Sequence, residues 1–115
     1  MDKEFVTYEQ ALALKELGFD EMCFGFYSNP KVELMHCRNR EPWMGNAVVA
    51  APLKQQVFRW FREKHDLYVE LGHSPRIGYY YNIFMSSENI SKCNDHMTYE
   101  KTENACIDKL IDLVK

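Results

Sequence analysis

Cys93-Asn-Asp-His96 places a thiol and an imidazole three positions apart, with two residues between them, and His36-Cys37 sets the same two groups side by side. Together they make four N and S donors, the number a tetrahedral zinc site uses. Adjacent residues on a strand point to opposite faces, so His36 and Cys37 are poorly placed to share one ion. The plainer reading is a cysteine and a histidine in a polar loop with no common ligand. The same residues could form a nucleophilic pair, with Cys37 or Cys93 activated by His65, His73 or His96. That chemistry needs a lowered thiol pKa, an oriented base and an oxyanion hole. No Gly-rich nucleophile turn, His-Glu-x-x-His, Gly-x-Ser-x-Gly or phosphate-cradling loop accompanies them. The expectation is therefore no catalytic residue, no metal and no cofactor.

Recognition chemistry is better represented than reaction chemistry. Read with a period of two, Met22, Phe24, Phe26, Val32, Leu34, Leu67, Val69, Leu71, Ile77, Tyr79, Tyr81 and Ile83 fall on one face of a sheet, the core face. The other face then carries Cys23, Gly25, Tyr27, Glu33, Met35, Tyr68, Glu70, Tyr80, Asn82 and Phe84. Tyr, Phe and Met are enriched in binding surfaces, which makes Tyr27, Tyr68, Tyr80 and Phe84 the candidate binding residues. The competing expectation is that residues 38–50 or 86–97 fold across them as a loop. Aromatic sheet faces also stack single-stranded bases. Here Glu33 and Glu70 share the face, leaving Arg38, Arg40, Lys54, Arg59 and Arg62 as the phosphate contacts.

The elements that hold these residues can be read along the chain. Thr7-Tyr-Glu-Gln10 has the form of a capping box and predicts a helix from Tyr8 to Leu17, closed by Gly18. Residues 22–27 and 32–37 alternate as strands around the turn Ser28-Asn-Pro-Lys31, which reads as a hairpin. Residues 38–50 look irregular around Pro42, Trp43 and Gly45, with a short strand at Ala47–Ala50 as one option. Pro52 suits the first turn of a second helix, where Leu53, Val57, Trp60 and Phe61 form an apolar stripe and Lys54, Arg59, Arg62 and Glu63 lie off it. Residues 67–71 and 77–85 read as strands, 86–97 as a polar loop, and Thr98 as the cap of a third helix ending near Val114. The order α-β-β-α-β-β-α predicts an α+β fold, a four-stranded antiparallel sheet with helices packed mainly on one face.

Size and charge bound the rest. A chain of 115 residues with 46% hydrophobic and 27% charged residues is expected to form one domain over 1–115. No apolar run approaches the roughly 20 residues of a membrane span. Met1-Asp-Lys-Glu-Phe-Val lacks an apolar signal segment, so a cytoplasmic location and reduced thiols are expected. The net charge of -3 is unevenly spread: residues 1–36 carry -4, 37–65 carry +4 and 66–115 carry -3. The basic middle is either an anion-binding region or a solvated helix face.

Several segments taken together resemble a family of small, uncharacterised proteins of phages and prophages of Bacteroidota-type bacteria. They are Tyr8 to Asp20, Cys23-Phe-Gly-Phe-Tyr27, Ala51-Pro-Leu with Gln55 to Lys64, and Ala105 to Ile111, roughly half of the chain. The resemblance implies no catalytic residues. It implies a mobile-element setting in the bacterial host cytosol, where small accessory proteins often bind host or defence machinery. The expected function is thus a non-enzymatic accessory protein that binds a host or phage protein. A weak nucleic-acid or ribonucleoprotein binder acting through residues 38–62, with Arg59 and Arg62, is the first alternative. A small hydrolase or zinc protein is the second.

Overall fold

The computed structural model describes residues 4–28, 31–39, 48–86, 88–96 and 98–115, with the side chains of residues 48 and 94–96 outside that set. The element order is α1 (Tyr8–Glu16), β1 (Cys23–Ser28), β2 (Lys31–Cys37), β3 (Val48–Ala50), α2 (Lys54–His65), β4 (Tyr68–Ser74), β5 (Gly78–Met85), β6 (Glu88–His96) and α3 (Tyr99–Val114). The fold is α+β, as the sequence pattern implies. In place of one four-stranded sheet there are two antiparallel sheets of three strands, β2-β1-β3 and β4-β5-β6. Each expected hairpin has gained a strand, β3 in one and β6 in the other. The predicted turn residues Asn29 and Pro30, and Pro42, Trp43 and Gly45 of the irregular segment, lie outside the described residues. Packing divides the chain into two compact units, Met1–Gln56 with Lys115 and Val57–Val114.

In the first unit, α1 starts as its sequence dictates. Thr7 Oγ1 accepts from the Gln10 backbone N–H and Gln10 Oε1 accepts from the Thr7 N–H, which closes the capping box. Gly18 ends the helix at φ +96°, a conformation glycine adopts without a Cβ penalty. Phe5, Val6, Ala11, Leu14, Phe19 and Val49 are buried and form the apolar filling of this unit. Asn39 acts as a polar tie, donating to the Phe19 carbonyl at 2.9 Å and accepting from the Ala50 N–H at 2.9 Å.

The strand β1 is phased opposite to the sequence expectation. Cys23 and Gly25 are buried, whereas Met22 and Phe24 are 45% and 55% exposed. The reason is what lies over Gly25. A Cβ built there would stand 2.9 Å from the Glu33 carbonyl oxygen and 3.3 Å from Phe5 Cε1. The N-terminal segment runs close over the strand, and its Phe5 supplies the bulk that a large strand residue would otherwise provide. A bulge in β2 sets two residues, Met35 and His36, against Phe24, so that Cys37 faces Cys23. Leu34, opposite Gly25 on this edge strand, is 64% exposed and is a second departure from the expected core.

In the second unit the expected phase holds at Leu67, Tyr81 and Ile83, all buried. Ile77 lies in the turn before β5 and is 47% exposed, which removes it from the core. The helix α3 packs on β5 and β6 and buries Thr102, Cys106, Ile107, Leu110 and Ile111. Thr98 caps it through Oγ1, which accepts from the Lys101 N–H. In α2, Val57, Phe58, Trp60 and Phe61 are buried and Arg59, Arg62 and Glu63 exposed. Trp60 meets Phe61 edge-on at 5.0 Å and His65 at 4.9 Å. Lys54, read as an off-stripe residue, is instead 4% exposed. No helix among the described residues is long and apolar enough to cross a membrane.

Candidate functional site on the outer face of the second sheet

Strand pairing fixes which side chains share a face. Tyr68 stands opposite Phe84, Glu70 opposite Asn82 and Gly72 opposite Tyr80. Alternation places these six on one side of β4 and β5, and Val69, Leu71, Tyr81 and Ile83 on the other. Of the two segments expected to cover this side, residues 40–47 of the first lie outside the described residues, and residues 88–96 of the second do not fold across it as a loop. They form β6, which pairs with β5 and widens the face, bringing Lys92 opposite Asn82 and Asn89 opposite Phe84. Tyr68 is 46% exposed there, while Phe84 and Tyr80 are half-buried.

The middle of the face is polar and ordered. Asn82 Nδ2 donates to Glu70 Oε1 at 2.8 Å, and Asn89 Nδ2 donates to Asn82 Oδ1 at 3.2 Å, a row that crosses all three strands. Each amide is oriented by its neighbour. Aromatic groups lie on either side of the row along the strands, toward the two ends of the face. At one end, the Tyr80 ring lies over the Gly72 backbone, where a Cβ would come 2.5 Å from Tyr80 Cζ. An aromatic ring covering a cross-strand glycine restores the contact that glycine lacks. At the other end, Tyr68 and Phe84 are direct cross-strand neighbours, a pairing that itself stabilises a sheet.

A depression adjoins each end. One, of about 340 Å³, is lined by Ile77, Tyr80, Tyr81, Asn82, Lys92 and Cys93. The other, of about 410 Å³, is lined by Asp66, Tyr68, Phe84 and Ser86. Asp66 and Ser86 are the two non-glycine residues with positive φ among the described residues, at 57° and 53°. Neither was visible as a site residue, because nothing in the letters Asp and Ser reports the sign of φ. The position of Asp66 directly after a helix of basic last-turn residues was the available hint.

The structure gathers Tyr68, Tyr80 and Phe84 on one sheet and puts Tyr27 in the other. Tyr27 belongs to the β2-β1-β3 sheet, donates its hydroxyl proton to the Val6 carbonyl and meets Tyr8 edge-on at 5.6 Å. It is a packing residue of the first unit. Arg59 and Arg62 lie on the exposed side of α2, whereas Lys54 is buried and Arg40 lies outside the described residues.

The cysteines and histidines take structural places. Cys23, Cys37 and Cys106 are buried, and Cys93 is half-buried; all four are thiols. Burial pushes the thiols of Cys23 and Cys106 up to about 12, the neighbouring Cys37 adding to the first and Glu103 to the second. A thiol held protonated in this way is a poor nucleophile. Cys37 donates to the Gly25 carbonyl at 3.4 Å. His36 is exposed while Cys37 is buried, and the His36 ring lies 5.0 Å from that of Phe24. His65 packs on Trp60 and Phe61, and His73 on Tyr79 at 4.6 Å. The side chain of His96 lies outside the described set; among the described residues no three His, Cys, Asp or Glu side chains converge as metal ligands. Burial, followed by the nearby Cys93 and Cys106, raises the pKa of the Tyr81 hydroxyl.

Compared with protein-family models, curated proteins and solved structures, the chain gives no match. Its class rests on its own architecture: an α+β protein of two three-stranded antiparallel sheets.

Proposed function

We propose that this is a non-enzymatic binding protein of phage or prophage origin, which engages a host or phage protein through the outer face of β4-β5-β6. The observation that supports the reading is the make-up of that face. Two aromatic ends flank a hydrogen-bonded polar row, and Tyr68, a large ring, stands nearly half in solvent. Interfaces concentrate affinity in such aromatic groups, set among polar groups that fix register.

The test is capture from host lysate by the tagged protein, with captured proteins identified by mass spectrometry and compared between wild type and Tyr68→Ser. Loss of a specific partner with an unchanged circular dichroism spectrum supports the face. Equal capture removes it. Tyr80 is the less informative position, since its ring also covers Gly72. The nucleic-acid alternative draws on Arg59 and Arg62, both exposed on α2. It predicts binding that weakens steeply with salt and is abolished by replacing both arginines. The burial of Lys54 and the acidic side chains Asp66 and Glu70 beside the aromatic groups weigh against it.

A further inference from the structure

We infer that the depression between the start of β4 and the end of β5 is a receptor for one organic cation, the side-chain ammonium of a lysine presented by the partner protein. The inference rests on the reading of this face as a protein-binding surface and names what one end of it takes.

The depression brings aromatic rings and a carboxylate together. Tyr68 and Phe84 stand opposite each other in register, and both line it. A cation over such rings is attracted by their negative faces, and more so as it loses water. Asp66 lines the same depression and supplies a carboxylate; Ser86 adds a hydroxyl acceptor. Glu70, two residues along β4 from Tyr68, puts a second carboxylate on the same face. No base lines the depression among the described residues, and Lys92 stands at the other strand edge, opposite Asn82. An anion would meet only like charge, and an apolar side chain would leave the carboxylate of Asp66 unused.

The backbone supplies a second argument. Asp66 leaves α2 and Ser86 leaves β5, both in the left-handed region. Glycine occupies such positions without steric cost. Here both positions carry polar side chains, and both side chains line the depression. The volume of about 410 Å³ accommodates the end of a lysine side chain and leaves room for the segment that presents it.

The experiment is an NMR titration of the full chain at low, constant ionic strength. The probes are Nα-acetyl-lysine N-methylamide and its uncharged counterpart, Nα-acetyl-norleucine N-methylamide. The expected result is saturable shifts at the Tyr68 and Phe84 rings and the Asp66 and Ser86 amides with the lysine probe, and at least a fivefold weaker response to norleucine. Asp66→Asn keeps a residue that tolerates positive φ, so the fold is retained, and should weaken lysine binding severalfold. Tyr68→Leu keeps apolar area without a π face and should do the same. Equal response to both probes, shifts only elsewhere, or an Asp66→Asn protein that binds lysine as wild type does would each overturn the inference. If these fail while Tyr68→Ser still loses its captured partner, the binding face stands without its lysine. If capture is also unchanged, both readings fall.

Discussion

The two sheets of this protein are built from similar hairpins yet solve the problem of covering a strand in opposite ways. In β2-β1-β3 the inward positions of β1 are small, Cys23 and Gly25, and the bulk comes from Phe5 of the N-terminal segment. The large residues Met22 and Phe24 are left outside. In β4-β5-β6 the inward positions are large, Tyr81 and Ile83, and α3 lies against β5 and β6. Hydrophobic alternation identifies the core face only when strands carry their own bulk. Where another segment approaches to within van der Waals distance of the backbone, the small residues mark the inside.

That contrast can be broken most sharply at Ile83 and Phe24. Ile83 is fully buried, so Ile83→Ala should cost about 2–5 kcal/mol. Phe24→Ala, at a position 55% exposed, should stay within about 0.5 kcal/mol. Midpoints of chemical denaturation compare the two directly, and a reversed ranking would mean that the phase of one sheet is misassigned.

The glycines sharpen the same comparison at smaller scale. At Gly25 an added methyl meets the Glu33 backbone, which moves only with the strand, so Gly25→Ala should cost about 1–3 kcal/mol. At Gly72 the obstacle is the Tyr80 side chain, which can swing aside. Gly72→Ala should cost less than Gly25→Ala, and near-ultraviolet circular dichroism should report the moved ring. Equal costs would indicate that Tyr80 is held as firmly as backbone.

A further effect is expected on the alkaline side. The folded-state pKa of Cys23, in the first sheet, and of Cys106, on the helix over the second, lies near 12, above the ordinary thiol value of 9.0. A thiol raised in this way contributes its full stability below about pH 9 and loses it as pH climbs toward 12. By pH 10 the loss should be about 1 kcal/mol per thiol. Cys23→Ala and Cys106→Ala should each flatten that limb, measured as denaturation midpoint against pH. If one substitution leaves the slope intact, that thiol is more accessible to water than its burial implies.

What the letters made legible was local. The capping box at Thr7 and Gln10 is a short-range pattern and appears as read; of the stripe Leu53, Val57, Trp60 and Phe61, the last three are buried in α2, while Leu53 precedes the helix and is half-buried. The third strand of each sheet was harder to see. Residues 88–96 contain one aliphatic residue, Ile90, because β6 is an edge strand with two irregular registers and needs little apolar character. The phase of β1 depended on Phe5, some 20 positions away in sequence, and no window along the strand contains it. The aromatic face was half legible: alternation grouped Tyr68, Tyr80 and Phe84 correctly but joined them to Tyr27, since pairing between hairpins leaves no trace in spacing. Asp66 and Ser86 were hidden because their significance is a backbone angle.

The edge position of β2 has a consequence for how the isolated protein behaves at high concentration. The strand lies at a sheet edge, and its Leu34 and Met35 are 64% and 47% exposed. An edge of this kind offers hydrogen-bonding groups to any passing strand, and its one irregularity, at Met35 and His36, interrupts the outer rail near a single end. The opposite arrangement holds for β6, whose two irregular registers and exposed Lys92 leave a poor template. Storage losses of this protein should therefore begin at β2, by strand addition between copies. Light scattering of concentrated solutions should rise more slowly once Leu34 is replaced by lysine.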